Sequence, residues 1–311
     1  MTEIRSLRID ELDAFAATGV DDGSEFAAKL RSMLEDGTTR PEWCFLALID
    51  GRPIARACFA LDEPPAAAPI EMYLFGLALD WQRAGAAEAA KALLEQALPD
   101  MSAVGPPIDV RVNPEVHPDS ESRRRLLESA GLGLFQEKAG YVWQAGIAGI
   151  ARSDRLRFRS LEAVGRDEFI AVMARGPAGT LDRNDRWYYE LTGPVGWATV
   201  MMGSLQPGDE PSWQLAYDSA AEAVGYVMLS AFDEGVTGTI AHVGVVPEHR
   251  GRGYIDDILM ETNASGEARG FKSILSDVDV LNLPMRDAME RAGHMPGRRA
   301  WHVWHYRYPP P

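Results

Sequence analysis

The sequence predicts an α+β fold built from two copies of one unit, each a mixed, mostly antiparallel twisted sheet flanked by helices. The chain has 311 residues, about the length of two domains. Alternating strand patterns and amphipathic helix patterns occur in the same order in both halves. A small, polar segment at Ala145–Asp154 separates the halves and is typical of a linker. We therefore expect a first domain at residues 1–148 and a second at residues 154–311.

In the first half, a strand is predicted at Ile4–Ile9, with a helix beginning at the acidic cap Asp10. The elements that follow are a helix at Ser24–Glu35, strands at Cys44–Ile49, Pro53–Leu61 and Met72–Leu79, a helix at Ala84–Leu98, a strand at Ile108–Val112, a helix at Ser122–Ala130, and strands near Leu134 and at Tyr141–Trp143. The Asp50-Gly51 pair between the first two of the central strands favours a hairpin turn.

The second half predicts the same order of elements. They are a strand at Leu156–Arg159, helices at Asp167–Ala174 and Thr180–Leu191, strands at Trp213–Tyr217, Ala223–Phe232 and Gly238–Val246, a helix at Gly253–Arg269, a strand at Ser273–Asp277, a helix at Pro284–Arg291 and a strand at Trp301–Tyr308. This repetition indicates an internal duplication of one α+β unit.

Composition and charge restrict the class of protein. The chain is 46% hydrophobic and 25% charged, with a formal net charge of −15. Such a charge opposes binding to nucleic acid or to an anionic membrane and weakly favours a cationic partner. No apolar run reaches the roughly 18 residues that span a bilayer, and the N-terminus has no signal-peptide core. Because Cys44 and Cys58 read as buried strand residues, we expect a cytoplasmic protein without disulfide or metal site.

The most informative stretch runs from Val243 to Tyr254. An alternating strand ends at a proline, a loop with Gly251 and Gly253 follows, and an amphipathic helix begins. Glycines let the backbone approach a ligand closely, and free amides at a helix N-terminus form an anion site. Arg250 and Arg252 add positive charge, so the stretch predicts a pyrophosphate site. The dinucleotide-binding alternative requires a third glycine, which this loop lacks.

This stretch resembles the acyl-CoA motif of the GNAT superfamily of N-acyltransferases, Arg/Gln-x-x-Gly-x-Gly/Ala after a strand. Arg250 and Gly253 match the motif, while Ile255 stands at its last position. Asn282 and Gly293 resemble the second signature of the family, an Asn after the fifth strand and a Gly that closes the next helix. The resemblance covers the second half of the chain.

The resemblance implies how acetyl-CoA would bind. The fourth and fifth strands of such domains splay apart, and the pantetheine arm lies between them like an added strand. The backbone of Val243 and Val245 would then bind this arm, and Asn282 would contact it near the thioester. The backbone amides from Arg250 to Tyr254, including those of Gly251, Arg252 and Gly253, would hold the pyrophosphate.

Acyl transfer to an amine needs a base, because a free alkylammonium has a pKa of about 10. In the family the base is often a carboxylate on the fourth strand. Here His242 lies on that strand, facing away from Val243 and Val245, and is the candidate base, with a structural strand histidine as the alternative. The family's acid is often a tyrosine seven residues after the Asn; this position is Met289, which has no proton to give.

Other polar residues near the predicted site have open roles. Tyr254 and His294 could donate a proton, although Tyr254 could instead pack over the CoA phosphates and His294 could cap a strand. A helical segment that walls the acceptor pocket in the family contains four polar residues that could together bind a cationic acceptor. They are Asp182, Asp185, Tyr188 and Tyr189.

The first half lacks the full motif. The loop around Arg83 and Gly85 has one glycine and no proline, and an insertion at Pro114–Glu121 follows the matching strand residue Asn113. We interpret this half as a degenerate copy that keeps the fold and does not bind CoA.

The sequence thus predicts an N-acetyltransferase that moves an acetyl group from acetyl-CoA to a small-molecule amine. Two alternatives stay open: a non-catalytic acyl-CoA sensor, which the missing tyrosine favours, and O-acyl transfer or acyl-CoA decarboxylation on the same fold. The sequence does not identify the acceptor, the acyl chain length or the oligomeric state, and an oligomer is possible.

Overall fold

The computed structural model describes residues 2–20, 22–62, 71–114, 119–146, 152–233, 235–297 and 301–306. The chain divides into two compact units. Unit 1 comprises Met1–Phe135 and His302–Pro311, and unit 2 comprises Gln136–Trp301. The predicted domain ranges, 1–148 and 154–311, remain predictions; the compact units assign residues 136–146 to unit 2 and residues 302–306 to unit 1. Half of the predicted linker, residues 147–151, lies outside the described residues.

Unit 1 follows the predicted order of elements. Its strands are β1 (Thr2–Ser6), β2 (Cys44–Ile49), β3 (Arg52–Leu61), β4 (Met72–Leu74), β5 (Ala78–Leu79), β6 (Ile108–Val112), the start of β7 (Leu132–Gln144), and the greater part of β14 (Trp301–Tyr306). Its helices are α1 (Leu12–Ala16), α2 (Ser24–Glu35), α3 (Ala86–Ser102) and α4 (Ser120–Ser129). The strand predicted at Met72–Leu79 is interrupted, because residues 75–77 belong to neither β4 nor β5.

The sheet of unit 1 has the strand order β1-β2-β3-β4-β6-β14. Only the β4–β6 pair among these is parallel, with Met72 opposite Ile108. Helix α3 packs its apolar face on β2 and β3, where Leu93 and Leu94 are fully buried. Cys44 and Cys58 face each other on β2 and β3 as buried free thiols, as predicted for apolar strand positions.

Unit 2 contains the remaining elements. Its strands are the rest of β7, β8 (Arg157–Ser160), β9 (Trp213–Tyr217), β10 (Ala223–Asp233), β11 (Thr237–Val245), β12 (Ser273–Asp279) and β13 (Met295–Pro296). Its helices are α5 (Leu161–Val164), α6 (Arg166–Met173), α7 (Arg183–Met202), α8 (Tyr254–Ala268) and α9 (Leu283–Arg291). Glu234, between β10 and β11, lies outside the described residues.

The sheet of unit 2 has the order β7-β12-β11-β10-β9-β8, and β11 and β12 form its parallel pair. One face is covered by α8, whose Ile258 and Leu259 are fully buried against β10 and β11. On the other face Phe169 of α6 lies 6.1 Å from the ring of Trp213 on β9. The predicted mixed, mostly antiparallel α+β architecture is confirmed.

Helix α7 is longer than predicted. Asp182 caps it by accepting hydrogen bonds from the backbone N–H groups of Asn184 and Asp185, both at 3.0 Å. The helix does not end at Leu191, because a kink at Gly193, which has φ of 74° and ψ of 171°, redirects the chain and a second helical stretch continues to Met202. No helix among the described residues is long and apolar enough to cross a membrane.

Candidate active site

A cleft of about 590 Å³ opens between β11 and β12 in unit 2. The two strands pair only from Thr237 opposite Ser273 to Thr239 opposite Leu275. Beyond this point they diverge, and the cleft is lined by both. It extends from Asp185 and His242 on one side to the glycine loop and the start of α8 on the other.

A β-bulge lies where the strands separate. Met228 of β10 pairs with His242, and the next residue, Leu229, pairs with Ile240, so Ala241 has no partner on β10. The bulge places His242 on the face opposite to Val243 and Val245, whose side chains pack in the core beside α8. The predicted orientation of His242 is therefore confirmed.

The outer edge of β11 offers backbone groups to the cleft. Its other edge pairs with β10 up to Val245, while the described residues of β12 pair with it only up to Thr239. The N–H and C=O groups of Val243 and the N–H group of Val245 therefore face the cleft at a strand edge, the position at which an extended ligand could pair, while the C=O group of Val245 accepts a hydrogen bond from Arg250.

The glycine loop has the geometry of an anion site. Gly251 and Gly253 adopt φ of 76° and 77°, a backbone conformation that residues other than glycine rarely adopt. Among the described residues, no acceptor is present for the amides of residues 251–254, whereas the amide of Arg250 donates to Pro247 O at 3.2 Å. Gly253 caps α8 without a side-chain hydrogen bond. Free amides and a helix N-terminus therefore converge here.

The side chain of Arg250 does not point its charge into this anion site. Its guanidinium donates to the carbonyls of Val245 (3.1 Å), Ala178 (2.7 Å) and Gly179 (3.2 Å), and also to that of Gly176. Arg250 thus ties the end of β11 to the segment after α6. Its role in holding the loop is structural in this geometry, while the residue still lines the cleft.

Two further arginines surround the loop. Arg252 donates to Glu248 O at 3.2 Å and lies 3.3 Å from His249 Nδ1. Arg155, which the sequence did not indicate, donates to Arg252 O at 2.8 Å and lies 5.0 Å from the centre of the Tyr254 ring. Its guanidinium, which also lies 3.0 Å from Asp257 Oδ2 of α8, therefore reaches the loop from 97 residues away in sequence.

Tyr254 and Asn282 lie where the sequence analysis placed them relative to the cleft. Tyr254 is the first residue of α8 and lines the cleft next to the glycine loop. Asn282 caps α9 by accepting from Met285 N at 3.4 Å, and it lines the cleft opposite β11. No partner for its Nδ2 group occurs among the described residues, so this donor can bind a ligand.

The position of the missing acid is filled by a sulfur. Met289 is buried and lines the cleft, where Ser276 Oγ lies 3.8 Å from its Sδ. His294 does not replace the acid. It is buried against Asn263, 2.9 Å away, and burial lowers its pKa to about 4, so the ring is neutral at pH 7.

His242 has polar partners on both ring nitrogens. Its Nε2 lies 2.8 Å from Asp185 Oδ2, and its Nδ1 lies 3.1 Å from Tyr226 Oη. Trp197 approaches the ring edge-on, with 4.8 Å between centroids. No carboxylate lies on the strand from Thr237 to Val246, but Asp185 reaches the ring from the first turn of α7.

Charge and burial set the protonation of these partners. Burial raises the pKa of Asp185, but the adjacent His242, by charge and hydrogen bond, brings this pKa below its usual value. Burial, and then the charge of Asp185, raise the pKa of Tyr226 well above its usual value. At neutral pH Asp185 is therefore an anion and Tyr226 a neutral hydroxyl.

Of the other residues predicted for the acceptor pocket, one lines the cleft and two do not. Asp182 lines the cleft, and besides capping α7 it lies 3.9 Å from Lys138 Nζ, a cleft residue that the sequence did not indicate. Tyr188 is buried and packs edge-on against Trp187 at 4.8 Å. Tyr188 and Tyr189 are absent from the described lining of the cleft.

One group of side chains has the spacing of metal ligands. Asp218, Glu222 and His249 bring one ligand atom each to within 4.8 Å of one another. Glu222 is exposed, and acidic groups on a surface often approach this closely without an ion. That the reaction needs no metal remains a prediction.

The corresponding loop of unit 1 forms hydrogen bonds within itself. Asp80 accepts a hydrogen bond from Gln82 N at 3.0 Å, and Ala86 N donates to Arg83 O at 3.1 Å. Leu77 precedes Gly85 by eight residues, as Val245 precedes Gly253. The carbonyl of Leu77 accepts from the half-buried guanidinium of Arg123 at 2.9 Å.

Comparison with known proteins agrees with this geometry. Residues 182–294 match the model of a family described as the acetyltransferase (GNAT) family. This range contains the glycine loop, His242 and Asn282. No curated protein matches the chain.

Several solved structures share the fold over nearly the whole chain. A GCN5-related N-acetyltransferase from Sphaerobacter thermophilus is 18% identical with a TM-score of 0.58, over 98% of this chain and 95% of that one. A tandem GNAT protein from the clavulanic acid biosynthesis pathway is 14% identical with a TM-score of 0.52, over 98% of each chain.

A third structure is a glucosamine N-acetyltransferase region of a fungal multi-domain GH3 β-N-acetylglucosaminidase. It is 15% identical with a TM-score of 0.66, and the match covers 98% of this chain but only 38% of that longer one. At these identities the likeness concerns the fold.

The fold, the cleft and the family model together define an enzyme that transfers acyl groups, an N-acyltransferase. Residues 182–294 of unit 2 match the acetyltransferase (GNAT) family, and the chain as a whole shares the fold of a tandem GNAT protein.

Proposed function

We propose that unit 2 transfers the acetyl group of acetyl-CoA to the amine of a small-molecule acceptor. The observation that supports this most strongly is the unpaired edge of β11 leading directly into the glycine loop with its free amides. A strand edge and an anion site in that order match the two parts of CoA, an extended amide-containing arm and a pyrophosphate.

The residues that would hold acetyl-CoA follow from this order. The backbone of Val243 and Val245 would pair with the pantetheine arm, and Asn282 would donate to it from across the cleft. The amides of Gly251, Arg252, Gly253 and Tyr254 would bind the pyrophosphate, with Arg155 adding charge. Arg250 would act by bracing the loop.

The chemistry requires a neutral amine. We propose His242 as the base that accepts the amine proton, since it lies at the bulge where β11 and β12 separate. Tyr254 is a weaker candidate for proton transfer. Along the chain, Tyr254 is separated from His242 by about three strand residues, which span roughly 10 Å, and by the whole glycine loop. Its contact with Arg155 favours a role in packing beside the phosphates.

The alternatives differ in what they predict. A binding protein without catalysis was favoured by Met289 in place of the tyrosine, but the match of residues 182–294 to the acetyltransferase family model argues against it. O-acyl transfer and acyl-CoA decarboxylation would use the same CoA site. Only decarboxylation would consume its acyl-CoA substrate without any acceptor.

The test is a screen of small amines with acetyl-CoA that measures released thiol. Thiol release that depends on one class of amine, together with an acetylated product detected by mass, would support the proposal. The Gly253→Asp variant provides the matched inactive enzyme. Release that is equal with and without every amine, or that depends only on alcohols, would contradict amine acetylation.

The remaining expectations stay proposals. A net charge of −15 supports a small-molecule acceptor over nucleic acid or an anionic membrane. The buried free thiols of Cys44 and Cys58 support a reducing, cytoplasmic location. The oligomeric state is open.

A further inference from the structure

Each ring nitrogen of His242 already has a polar partner. Nε2 meets Asp185 Oδ2 at 2.8 Å, and Nδ1 meets Tyr226 Oη at 3.1 Å. The ring of Tyr226 lies nearly parallel to the imidazole, at 18° with 5.7 Å between centroids. An amine therefore cannot reach a nitrogen of His242 without replacing one of these partners.

The partners fix which nitrogen is basic. An ionised carboxylate only accepts hydrogen bonds, so Nε2 must carry a proton toward Asp185. The neutral imidazole then has its lone pair on Nδ1, and the hydroxyl of Tyr226 donates to it. Both Asp185 and Tyr226 line the same cleft as His242.

Tyr226 is held firmly in this position. A side-chain carbon added at Gly176 would lie 2.5 Å from its Oη, and one added at Gly244 would lie 2.9 Å away. Two glycines thus leave just enough room for the hydroxyl beside the backbone of β11. Oη lies beside Gly244, between the two residues proposed to bind the pantetheine arm.

We propose that Asp185, His242 and Tyr226 form a proton relay whose outer group is the Tyr226 hydroxyl. The proposal rests on the proposed amine acetylation and deepens it. Asp185 is a positioning residue, since it acts through His242. Tyr226 is the group that meets the amine, directly or through one water.

The steps balance as follows. The ammonium of the acceptor gives a proton to Tyr226 Oη while the hydroxyl proton moves to His242 Nδ1, which leaves a neutral amine, a neutral tyrosine and an imidazolium paired with Asp185. The amine nitrogen attacks the thioester carbon, the C–S bond breaks, and the second amine proton goes to the leaving sulfur. The imidazolium then releases its proton to water.

Other charges near the relay are few. Lys138 of β7 lies 3.9 Å from Asp182 at the start of α7, its charge also lowers the pKa of Asp185, and Arg250 is held by backbone carbonyls. With a neutral His242, the two carboxylates of Asp182 and Asp185 outnumber the single ammonium of Lys138. This excess of negative charge favours a cationic amine before proton transfer, and Asp185 favours an imidazolium after it.

The kinetic test compares Asp185→Asn and Tyr226→Phe with the wild-type chain. Each variant keeps the size of its side chain, so CoA affinity and thermal stability should change little. We expect kcat to fall roughly 10²–10⁴-fold in Asp185→Asn and at least about tenfold in Tyr226→Phe. The acidic limb of kcat/KM should move to lower pH in Asp185→Asn, because the anion that stabilises the imidazolium is gone. Glu190→Gln, which removes an exposed charge from the same helix, should behave like wild type.

A second measurement needs no turnover. Long-range ¹H–¹⁵N correlation of histidine-labelled protein reports the tautomer of each ring, with His242→Gln identifying the signal. The relay requires the proton on Nε2 in the wild type. A proton on Nδ1, or a Tyr226→Phe variant with wild-type kcat and pH profile, would overturn the relay. If no amine is acetylated at all, the proposed function is wrong, and the role of the relay in acetyl transfer is wrong with it. The tautomer of His242 still shows in that case whether Asp185 positions the ring.

Discussion

The glycine at the start of α8 provides a direct test of the CoA site. Gly253 has φ of 77°, and a carbon added to it would meet only Arg155 Nη1, at 3.7 Å. Replacing it with Asp puts a carboxylate where the pyrophosphate is proposed to bind. The same change leaves the buried core of unit 2 untouched.

The expected magnitude follows from charge and backbone strain. Two unit charges 4–6 Å apart near a protein surface repel by about 3–4 kcal/mol before salt screening. A net loss of about 2–4 kcal/mol corresponds to a roughly 30- to 1,000-fold weaker Kd. The left-handed backbone costs a side chain about 1–2 kcal/mol, but the new carboxylate lies beside Arg155 and the free amides of α8, which offsets part of that cost. The variant should therefore stay folded.

Calorimetric titration with acetyl-CoA measures the change, with thermal unfolding measured alongside. Gly270→Asp is the matched control, because Gly270 ends α8 with φ of 88° and open space around it, outside the cleft. It carries the same charge and a similar strain. If the Kd of Gly253→Asp for acetyl-CoA is within about threefold of the Kd of Gly270→Asp, the pyrophosphate does not lie on this loop.

Further predictions test the rest of the reasoning. Titration should find one acetyl-CoA site per chain, because the unit 1 loop has one glycine and bonds the amides of Gln82, Arg83 and Ala86 within itself; Gly85→Asp should leave binding unchanged, and two equal sites would contradict this. His242→Ala should lower kcat roughly 10²–10⁴-fold with little change in CoA affinity and should change the pH–rate profile; an identical pH–rate profile in both proteins would assign catalysis to positioning of the amine. Arg183→Ala should destabilise the fold by about 3 kcal/mol in urea unfolding, since Arg183 Nε lies 2.9 Å from the buried Asp279 Oδ2; a loss below about 1 kcal/mol would mean that water replaces the pair. Burial raises the pKa of Asp279, but hydrogen bonds from Arg183 and Gln136 outweigh this and lower it. This contribution to stability is present above the ordinary pKa of an aspartate, about 3.9, and is lost as pH falls through the lower folded value.

Much of the fold and the CoA site could be predicted because the signals are local. The glycine loop, the preceding strand and the following helix occupy one continuous stretch, so residue spacing alone places Gly251 and Gly253 at a strand-to-helix junction. Helix α2 begins and ends at the predicted residues, Ser24 and Glu35, because an amphipathic period marks it clearly.

The acceptor side could not be predicted because its contacts are distant in sequence. Asp185 lies 57 residues before His242, and only the folding of α7 over the sheet brings their side chains together. Lys138 reaches the cleft, and Arg155 the glycine loop, from similarly remote positions. The kink at Gly193 was missed for a different reason, since a single glycine before a proline reads as a helix end although the helix resumes beyond it.

The assignment of β14 to the first unit has a consequence for synthesis. Residues His302–Tyr306 complete the sheet of unit 1 by pairing with β6, yet they follow the whole of unit 2 in the chain and are translated after it. Until then one side of β6 has no partner within its own unit, and its backbone groups can pair with another nascent chain. A fragment that stops after residue 148 keeps this open edge permanently. Closure of the first sheet therefore waits for translation of residues 302–306, beyond the second unit.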